Sequence, residues 1–309
     1  MAIFLTDEDV QRLLPMNECV DVMEDLFQQE ARGLVDNLPR QRIRFPKSSA
    51  TLMGGAVLGS QAYGVRHSSV DLIYNTDTGK LDGVIEPRAL AWIRTGAASG
   101  VATKYMALPD ASTVGIIGSG RQAITQLEAI CVVRPVKLIK VFSRTPENRE
   151  SFAREMREHL GIDVIPVSST DECIKGSEII VTITNAREPV FDGALLEPGI
   201  HINAAGANSA NRREVDETTV NRSDVIAVDD MEQAKIECGE LIAAAERGNF
   251  VWHRVVELQD VVGGRVNGRP SPEAITLFES QGIGIEDVAC YAHVVRKARE
   301  QGVGQPLPF

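Results

Sequence analysis

The chain has 309 residues, of which 43% are hydrophobic and 24% are charged, and its formal net charge at pH 7 is −11. This length and composition predict a globular protein with one large or two modest domains. The acidic balance argues against nucleic acid and against an anionic membrane surface as partners, because either would favour a basic face. No apolar run reaches the length of a membrane span, and the start, MAIFLTDEDVQ, lacks the features of a signal peptide, so we expect a cytoplasmic protein.

The cysteine and histidine spacings show no metal or disulfide pattern. The cysteines are odd in number, lie far apart and form no C-x-x-C pair: Cys19, Cys131, Cys173, Cys238 and Cys290. Such residues are typical of buried, reduced thiols in a reducing compartment. The scattered histidines have no metal-ligand spacing either, so we expect no metal site.

The first third of the chain predicts two short helices followed by strands. In LTDEDVQRLLPMNECVDVMEDLFQQEARG, Thr6 is a candidate N-cap, Pro15 divides two helical patterns and Gly33 ends the second. Downstream, SSVDLIYN and KLDGVIE flank the turn TDTG, which predicts a β-hairpin with Gly79 at the end of its turn. PRALAWIRTGAASGVATKYMALPD then predicts a long helix that is rich in small residues and closed by Pro109.

From Ser112 onward, strand-like and helical segments alternate. Strands are predicted at 113–117, 137–142, 163–167, 178–184, 200–204 and 224–228, and the segment AITLFES is also strand-like. This alternation predicts right-handed crossovers and a parallel, doubly wound sheet of the Rossmann type, and an amphipathic helix closes the chain. We therefore predict an α/β protein with a Rossmann domain at 113–288 and a smaller α+β domain formed by 1–112 and 289–309.

The stretch STVGIIGSGRQAITQLEAICVV joins the first strand of this sheet to a helix through a glycine turn. Gly118, Gly120 and Ala123 form a G-x-G-x-x-A pattern, which permits a tight turn and a close approach of a pyrophosphate to the positive end of the helix. Small residues also occur at ordinary strand-to-helix corners, and a lone match is weak. The flanking strand and helix favour a bound dinucleotide, with these expected contacts: Gly118, Ser119, Gly120, Arg121 and Gln122.

The next strand, in KLIKVFSRTPENRE, ends in Ser143, Arg144 and Thr145, where many NAD-binding domains carry an acidic residue for the ribose hydroxyls. A guanidinium with two hydroxyls suits the additional phosphate of NADP, and no carboxylate is present to repel it. Thr145 also stands where it could cap a helix that begins at Pro146, which would leave Arg144 available for the phosphate. We expect NADP(H) to be preferred, with NAD(H) as the alternative.

Several stretches together resemble one family, the ornithine cyclodeaminase/μ-crystallin family: IRTGAASGVATKYMA, VGIIGSGRQA, EPGIHINAAGAN with RREVD, and LFESQGIGIEDVA. The resemblance extends from about Pro39 to His293, and the combination is much more specific than the glycine turn alone. Members of the family include archaeal-type alanine dehydrogenases, ketimine reductases and cyclic imine reductases. The resemblance implies an N-terminal domain for substrate binding and dimerisation, a Rossmann domain, and a homodimer.

In this family an arginine, a lysine and a second arginine bind the substrate carboxylate, and the resemblance assigns the first to Arg40 and the last to Arg94. The lysine of the family's G-x-K triplet is replaced by Arg66 in YGVRH. Arginine binds carboxylates through two parallel hydrogen bonds, but its pKa above ~12 makes it a poor proton donor. The adjacent His67 is therefore the expected acid, with an imine that arrives already protonated as the alternative.

Two further positions differ from the family members that act on diamino acids. After NA-x-G-x those members carry an aspartate, as do the alanine dehydrogenases, whereas INAAGAN has Asn208. Its amide can hydrogen-bond an amine or imine but supplies no charge to hold an ammonium group. Thr51 stands where the cyclodeaminases have a glutamate. Both differences favour the ketimine reductases, which tolerate an uncharged residue at the position of Asn208.

The arginines also have interpretations that need no ligand. Arg40, Arg42 and Arg44 alternate along a predicted strand, which fits a solvated sheet edge, and the resemblance changes this for Arg40 only. Arg94 lies in an apolar helix, where either a ligand carboxylate or an internal partner such as Glu86 would offset the cost of its burial.

The expected function is NADPH-dependent reduction of an α-imino acid or a cyclic ketimine carboxylate to an α-amino acid, a reaction that runs backwards as an amino-acid dehydrogenase. The predicted catalytic residues are Arg66 and Asn208, from the resemblance, and His67, from its position next to Arg66; Asn208 is also expected to contact the substrate. It places Ser280 and Gly282 near the nicotinamide, although ESQG also fits a plain helix-entry turn. The alternatives are an ornithine cyclodeaminase or alanine-dehydrogenase-like activity, and a non-catalytic NADPH-dependent protein of the crystallin type that binds small acids.

Overall fold

The computed structural model describes residues 1–67 and 69–308, and the chain folds into two compact units. The first unit comprises Met1–Ala97 and Gly282–Phe309, and the second comprises Ala98–Gln281. The boundaries predicted at 112/113 and 288/289 lie C-terminal to these divisions. The first division falls inside one long helix and the second falls just before another, so neither coincides with a change of sequence pattern.

The described residues form the following elements. The strands are β1 (Ile3–Leu5), β2 (Val35–Arg44), β3 (Ser49–Val57), β4 (Ala62–His67), β5 (Asp71–Asn75), β6 (Leu81–Ile85), β7 (Thr113–Ile117), β8 (Leu138–Phe142), β9 (Asp163–Pro166), β10 (Ile179–Thr182), β11 (His201–Ala204), β12 (Val225–Val228), β13 (Val255–Glu257), β14 (Thr276–Glu279) and β15 (Gln305–Pro306). The helices are α1 (Asp7–Leu13), α2 (Met16–Ala31), α3 (Arg88–Met106), α4 (Arg121–Val133), α5 (Pro146–Leu160), α6 (Thr170–Ile174), α7 (Glu217–Arg222), α8 (Met231–Glu237), α9 (Gly239–Glu246), α10 (Leu258–Val262) and α11 (Gly284–Gln301). None of these helices combines the length and apolar character that a membrane crossing requires.

The first unit is built on a seven-stranded sheet in the order β15-β1-β6-β5-β4-β3-β2 among the described residues. Neighbouring strands from β6 to β2 pair antiparallel, and β1 pairs parallel with β6. α11 packs against β3 and β4 and against α2. Val288, Tyr291 and Val295 lie on the buried face of α11, so the apolar spacing of this helix reflects its packing on the sheet.

Local predictions for the first unit are confirmed. Thr6 caps α1, because its hydroxyl accepts the N–H of Asp9 at 3.2 Å and the Asp9 carboxylate accepts the N–H of Thr6 at 3.2 Å. Pro15 separates α1 from α2, and Gly33 follows α2 with a φ of +71°. β5 and β6 form the predicted hairpin. Ser68, the first residue of its predicted first strand, lies outside the described residues.

The arginines of β2 differ in burial, as the charged-edge interpretation predicts for Arg42 and Arg44 and the resemblance predicts for Arg40. β2 ends the sheet, and Arg42 and Arg44 are exposed on it. Arg40 is buried, with 9% of its surface exposed. The pairing of β2 with β3 is irregular between Leu38 and Gln41, so the backbone changes register at Arg40. This irregularity accompanies the different environment of the first arginine.

The second unit contains an eight-stranded parallel sheet in the order β13-β12-β14-β11-β10-β7-β8-β9 among the described residues. Every strand predicted between 113 and 228 is present, with ends that differ by at most two residues, and AITLFES contains β14. The predicted class, a Rossmann sheet with a smaller α+β unit, is confirmed. The sequence is informative here because strands buried on both faces are nearly continuous apolar runs.

The order of strands reverses beside β7. From β7 the chain adds β8 and β9 on one side, and then β10 and β11 on the other. Buried apolar clusters cover this sheet, one including Ile116 and Leu127 and another including Ile180 and Ile202. In doubly wound sheets, ligands bind at the carboxyl ends of the strands where the order reverses. The ends of β7 and β10 are therefore the expected place for a cofactor.

Candidate active site

In the second unit, β7 leads into α4 through Gly118, Ser119 and Gly120. Gly118 has a φ of +122°, and a Cβ atom at this position would collide with the carbonyl oxygen of Ile183. Gly120 is the N-cap of α4, has no side-chain capping hydrogen bond, and faces open space where a Cβ atom would lie. The backbone can therefore be approached closely at the positive end of a 13-residue helix, as a pyrophosphate requires.

A cavity of about 840 Å³ opens at this turn. Its volume lies in the range of pockets that hold small-molecule ligands. Its lining includes these residues predicted to bind the cofactor: Gly118, Ser119, Gly120, Ser143, Arg144 and Thr145. Arg121 and Gln122 begin α4 and are not among the described lining residues. The open glycine turn and the polar lining fit a dinucleotide.

Thr145 occupies the N-cap position of α5 and Pro146 its first position, as predicted. The side chain of Thr145 makes no capping hydrogen bond, so the capping interpretation explains the position of this residue but not its hydroxyl. Arg144 is exposed, and its guanidinium has no ion-pair partner within residues 1–67 and 69–308. Both groups are therefore available to an anionic ligand.

Glu214, which belongs to the quoted stretch RREVD but was not among the predicted site residues, fixes the backbone next to this cavity. Its carboxylate is fully buried and accepts the N–H of Thr184 at 2.5 Å, the N–H of Gly206 at 2.6 Å and the hydroxyl of Thr182 at 3.1 Å. Burial raises the pKa of Glu214, while these hydrogen bonds favour the ionised form. Because Thr184 lines the cavity, Glu214 holds part of the cavity wall in place.

In the first unit, Asp287 of α11 joins two of the three arginines that the resemblance assigns. Its Oδ1 accepts hydrogen bonds from Nε of Arg94 at 3.0 Å and from Nη1 of Arg66 at 2.7 Å. Arg94 also donates through Nη1 to Oε2 of Glu286 at 2.6 Å. Arg94 is 5% exposed, and both carboxylates are fully buried. Burial acts to lower the pKa of Arg94, but Asp287 and Glu286 raise it, so Arg94 stays cationic.

Glu86 is not the internal partner of Arg94, so that expectation was wrong. The Glu86 carboxylate instead accepts the N–H of Asp7 at 2.8 Å. The actual partners, Glu286 and Asp287, lie 192 and 193 residues away from Arg94 along the chain. A local pattern around Arg94 carries no information about partners at that separation.

Arg40 contacts the chain just before α11. Its Nη2 donates to the carbonyl oxygen of Gly282 at 2.8 Å. Gly282 has a φ of +73°, and a Cβ atom on it would run into Nη1 of Arg94. The resemblance placed Gly282 near the nicotinamide, and the structure places it against Arg40 and Arg94. Ser280 follows β14 in the second unit, where its hydroxyl is buried and has no hydrogen-bond partner among the described residues.

Asp71 is a further acidic group beside Arg66, with which it pairs across β4 and β5. Its carboxyl group accepts the N–H of His67 at 3.0 Å and the hydroxyl of Tyr291. Burial raises the pKa of Asp71 to about 8, and Asp287 adds to this effect while Arg66 opposes it. At pH 7 Asp71 is therefore mostly protonated and adds little negative charge beside Arg66.

Glu286, which contacts Arg94, is a second carboxyl group whose charge changes close to neutral pH. Burial raises its pKa to about 7, with Arg94 acting in the opposite direction and Asp287 in the same direction. Well below pH 7, Glu286 and Asp71 are therefore mostly uncharged. Above pH 8, both carboxyl groups are mostly ionised. The net charge of Arg66, Arg94 and the carboxyl groups around them is therefore most positive at the lower pH.

Within the first unit, the structure does not bring the ring of His67 together with the guanidinium of Arg66. His67 ends β4, and the alternation of side chains along a strand directs its ring to the face opposite that of Arg66. Its Nδ1 lies 3.3 Å from Oγ of Ser69. Asn208 is exposed in the loop after β11, in the second unit, and Thr51 lies in β3. The acidic residues Asp71, Glu286 and Asp287 are the additional groups around the arginines.

Comparisons with known proteins give the class of both units. The profile of the ornithine cyclodeaminase/mu-crystallin family matches residues 1–302. A Delta(1)-pyrroline-2-carboxylate reductase of Bacillus cereus is 33% identical over 85% of this chain and 86% of its own length. An alanine dehydrogenase of Archaeoglobus fulgidus is 32% identical over 99% of this chain and 98% of its own. The solved structure of the Thermococcus litoralis Delta(1)-pyrroline-2-carboxylate reductase, in complex with NADH and L-proline, matches with a TM-score of 0.95 at 33% identity, covering 99% of this chain and 100% of that one.

The fold, the glycine turn and these relatives define a nicotinamide-dependent oxidoreductase. The chain belongs to the ornithine cyclodeaminase/mu-crystallin family. The resemblance seen in the quoted sequence stretches is thereby confirmed, as is the expectation of a nicotinamide cofactor.

Replacing Gly282 with alanine is expected to destabilise the protein more than replacing Gly302, which ends α11. Both glycines have a left-handed backbone, with φ of +73° and +66°, but only at Gly282 would the new methyl group meet Arg94. We expect Gly302→Ala to lower the free energy of unfolding by about 1–2 kcal/mol, and Gly282→Ala to lower it by a further ~1–3 kcal/mol. Urea denaturation measures both losses, and equal losses would contradict the close packing against Arg94.

The affinity for a small carboxylate is expected to fall as the pH rises from 7 to 9, because Asp71 ionises near its pKa of about 8 and adds negative charge beside Arg66. The side chain introduced by Asp71→Asn is neutral at every pH. The fold-decrease in carboxylate affinity between pH 7 and pH 9 should therefore be roughly ten times smaller in this variant than in the wild type. Calorimetric titration with pyruvate, with the cofactor present, measures the dissociation constants. The exposed Asp77→Asn is the matched control, and a wild-type pH dependence in Asp71→Asn would contradict the charge assignment.

Proposed function

We propose that the protein catalyses NADPH-dependent reduction of the C=N bond of an α-imino acid or a cyclic ketimine carboxylate, which gives an α-amino acid. The observation that carries the proposal is the arginine group of the first unit, Arg40, Arg66 and Arg94, which outnumbers the ionised carboxylates beside it below pH 7. A carboxylate is the ligand that such a group binds best. The names of the relatives, reductases of Delta(1)-pyrroline-2-carboxylate among them, support the reaction class.

Within the arginine group, Arg66 is the residue best placed to bind a ligand directly. Its side chain is 19% exposed, whereas that of Arg94 is 6% exposed. Among the described contacts, its guanidinium donates a short hydrogen bond to Asp287 and a long one, at 3.4 Å, to the carbonyl oxygen of Pro87. A guanidinium carries five N–H donors, so several remain for a ligand carboxylate.

The proton on the imine nitrogen has to come from elsewhere, because Arg66 is a poor donor. Burial acts to lower its pKa, but Asp287 and Asp71 raise it above the ordinary value. His67 was the expected acid, yet its ring lies on the face of β4 opposite that of Arg66. We therefore favour the alternative in which the imine binds already protonated. An iminium carboxylate then presents its negative end to the arginine group.

When bound, the nicotinamide cofactor supplies the hydride that reduces the imine carbon. Gly118 and Gly120 admit its pyrophosphate to the N-terminus of α4. Arg144, with Ser143 and Thr145, lines the same cavity and suits the phosphate that distinguishes NADP from NAD. This preference is proposed from the residues of this chain, since the Thermococcus litoralis structure holds NADH.

A second candidate is an alanine-dehydrogenase-like activity, because the Archaeoglobus fulgidus enzyme matches 99% of this chain. Asn208 supplies no charge for an ammonium group, which disfavours this activity and ornithine cyclodeamination. A non-catalytic binding protein of the crystallin type would bind NADPH and an acid without consuming NADPH. As the family resemblance implies, we also propose that the protein is a homodimer.

The direct test follows NADPH absorbance with purified protein and a panel of substrates. The panel contains five- and six-membered cyclic 2-carboxy-imines, pyruvate with ammonia or methylamine, and ornithine with NADP. NADPH consumption with an imine supports the proposal, and the preferred ring size describes the pocket. Turnover with pyruvate and ammonia alone would favour the second candidate. Tight NADPH binding without any turnover would overturn the reductase proposal in favour of a binding protein.

Arg66→Gln is expected to raise the KM for the imine about 10–100-fold, because a charge-assisted hydrogen bond contributes about 1.5–3 kcal/mol. The NADPH dissociation constant should not change. Arg66→Lys keeps the charge and should lose much less. Arg94 is less suitable for this test, because its removal leaves Glu286 buried without the counter-charge that Arg94 supplies. An equal loss of NADPH affinity in Arg66→Gln would contradict the assignment of Arg66 to the substrate.

Arg144→Asp is expected to shift the ratio of kcat/KM for NADPH over NADH by at least about tenfold towards NADH, because a carboxylate repels the additional phosphate. Arg154→Asp, an exposed substitution on α5 with the same change of charge, is the matched control. Steady-state kinetics with both cofactors measure the ratio. If both variants shift it equally, the effect is one of overall charge and the phosphate assignment is wrong.

A further inference from the structure

Cys238, Glu240 and Glu279 come together inside the second unit. Cys238 joins α8 to α9, Glu240 is the second residue of α9, and Glu279 ends β14. Their exposed fractions are 0%, 3% and 1%. One ligand atom of each residue, the Sγ of Cys238 and one carboxylate oxygen of each glutamate, lies within 4.8 Å of the other two. Three potential metal ligands thus face one another away from solvent.

The separations in this cluster suit a small divalent ion. The Sγ of Cys238 lies 3.9 Å from Oε2 of Glu240. Zinc binds a thiolate at about 2.3 Å and carboxylate oxygens at about 2.0–2.2 Å, so a tetrahedral angle places sulfur and oxygen about 3.6 Å apart. A small contraction would therefore bring both atoms to the ion. Zinc accepts a thiolate together with carboxylates, whereas calcium and magnesium prefer oxygen ligands alone.

The hydrogen bonds of the cluster leave one carboxylate oxygen without a partner. Oε1 of Glu279 is fully buried and has no hydrogen-bond partner among the described residues. Oε1 of Glu240 accepts the N–H of Glu214 at 2.6 Å, so Oε2 is the oxygen that remains for the cluster. Glu214 and Asp229 add further negative charge around Glu279. A buried oxygen without a partner, in an environment of several acids, is costly unless a cation or a proton compensates it.

We propose that Cys238, Glu240 and Glu279 bind one Zn²⁺ ion, with a water molecule in the fourth position of the tetrahedral coordination. The ion joins the α8–α9 junction to the end of β14. Because the ligand is the thiolate, binding releases the thiol proton of Cys238, and the two carboxylates bind in their ionised form. The site is independent of the proposed reductase reaction, and none of its ligands belongs to the arginine group or to the cofactor cavity.

The test measures the zinc content of four proteins: the wild type, Cys238→Ser, Glu279→Gln and Cys173→Ser. Cys173 is the matched control, because it is also fully buried in the second unit but contacts the carbonyl oxygens of Ile116 and Lys140. Each protein is expressed with added ZnCl₂, since a buried site is filled during folding, and dialysed into metal-free buffer. Elemental analysis should find about one zinc ion per chain in the wild type and in Cys173→Ser, and at least about tenfold less in the other two.

Expression with added cobalt identifies the ligands. A thiolate-to-cobalt absorption band is expected in the wild type and in Cys173→Ser, and it should be missing from Cys238→Ser even if that variant retains some metal. Zinc-free wild type, or equal zinc in all four proteins, would overturn the proposal and leave Glu240 and Glu279 neutralised by protons. Should Cys238→Ser or Glu279→Gln fail to fold, the wild type decides, because the absence of its cobalt band rules out ligation by Cys238.

Discussion

The arrangement of Arg66 and Arg94 in the first unit rests on Asp287, a fully buried carboxylate with one oxygen shared by the two guanidiniums. Arg94 and Arg66 need a counter-charge to be buried, but complete neutralisation would leave no attraction for a ligand. Asp71 meets this constraint because its pKa of about 8 keeps it uncharged at pH 7, and Glu286 is only partly ionised there. Arg66 and Arg94 therefore have carboxylate partners, and these partners do not neutralise the whole positive charge of the arginine group at pH 7.

A second constraint, common to both units, is the close approach of the backbone to a neighbouring group. Gly118 leaves room for the carbonyl of Ile183 beneath the cofactor turn, and Gly282 leaves room for the guanidinium of Arg94. In each place a side chain would collide with the neighbouring group. Gly118 and Gly282 therefore permit close packing against a neighbouring group. Gly120 has open space beside it, which a ligand could approach.

The strands of the second unit, the hairpin and the cap at Thr6 could be predicted because each leaves a local pattern. The partners of Arg94 could not, since they are more than 190 residues away in sequence. Glu286 and Asp287 also lie in the first turn of α11, where acidic residues are common because they interact favourably with the helix dipole. Their position in the sequence therefore gives no sign that they pair with Arg94. Cys238 and Glu279 likewise come from separate elements, so cysteine spacing carries no information about the proposed zinc site.

Arg66 in place of the family lysine has a further chemical consequence. A lysine amine next to a bound carboxylate can condense with a carbonyl group, whereas a guanidinium with a raised pKa does not. Imino acids hydrolyse in water to keto acids, so a site for the former always meets the latter. With Arg66 at this position, the proposed substrate site offers no amine there that could form a Schiff base with a keto acid. The Arg66 position therefore cannot be captured covalently by the breakdown product of the proposed substrate.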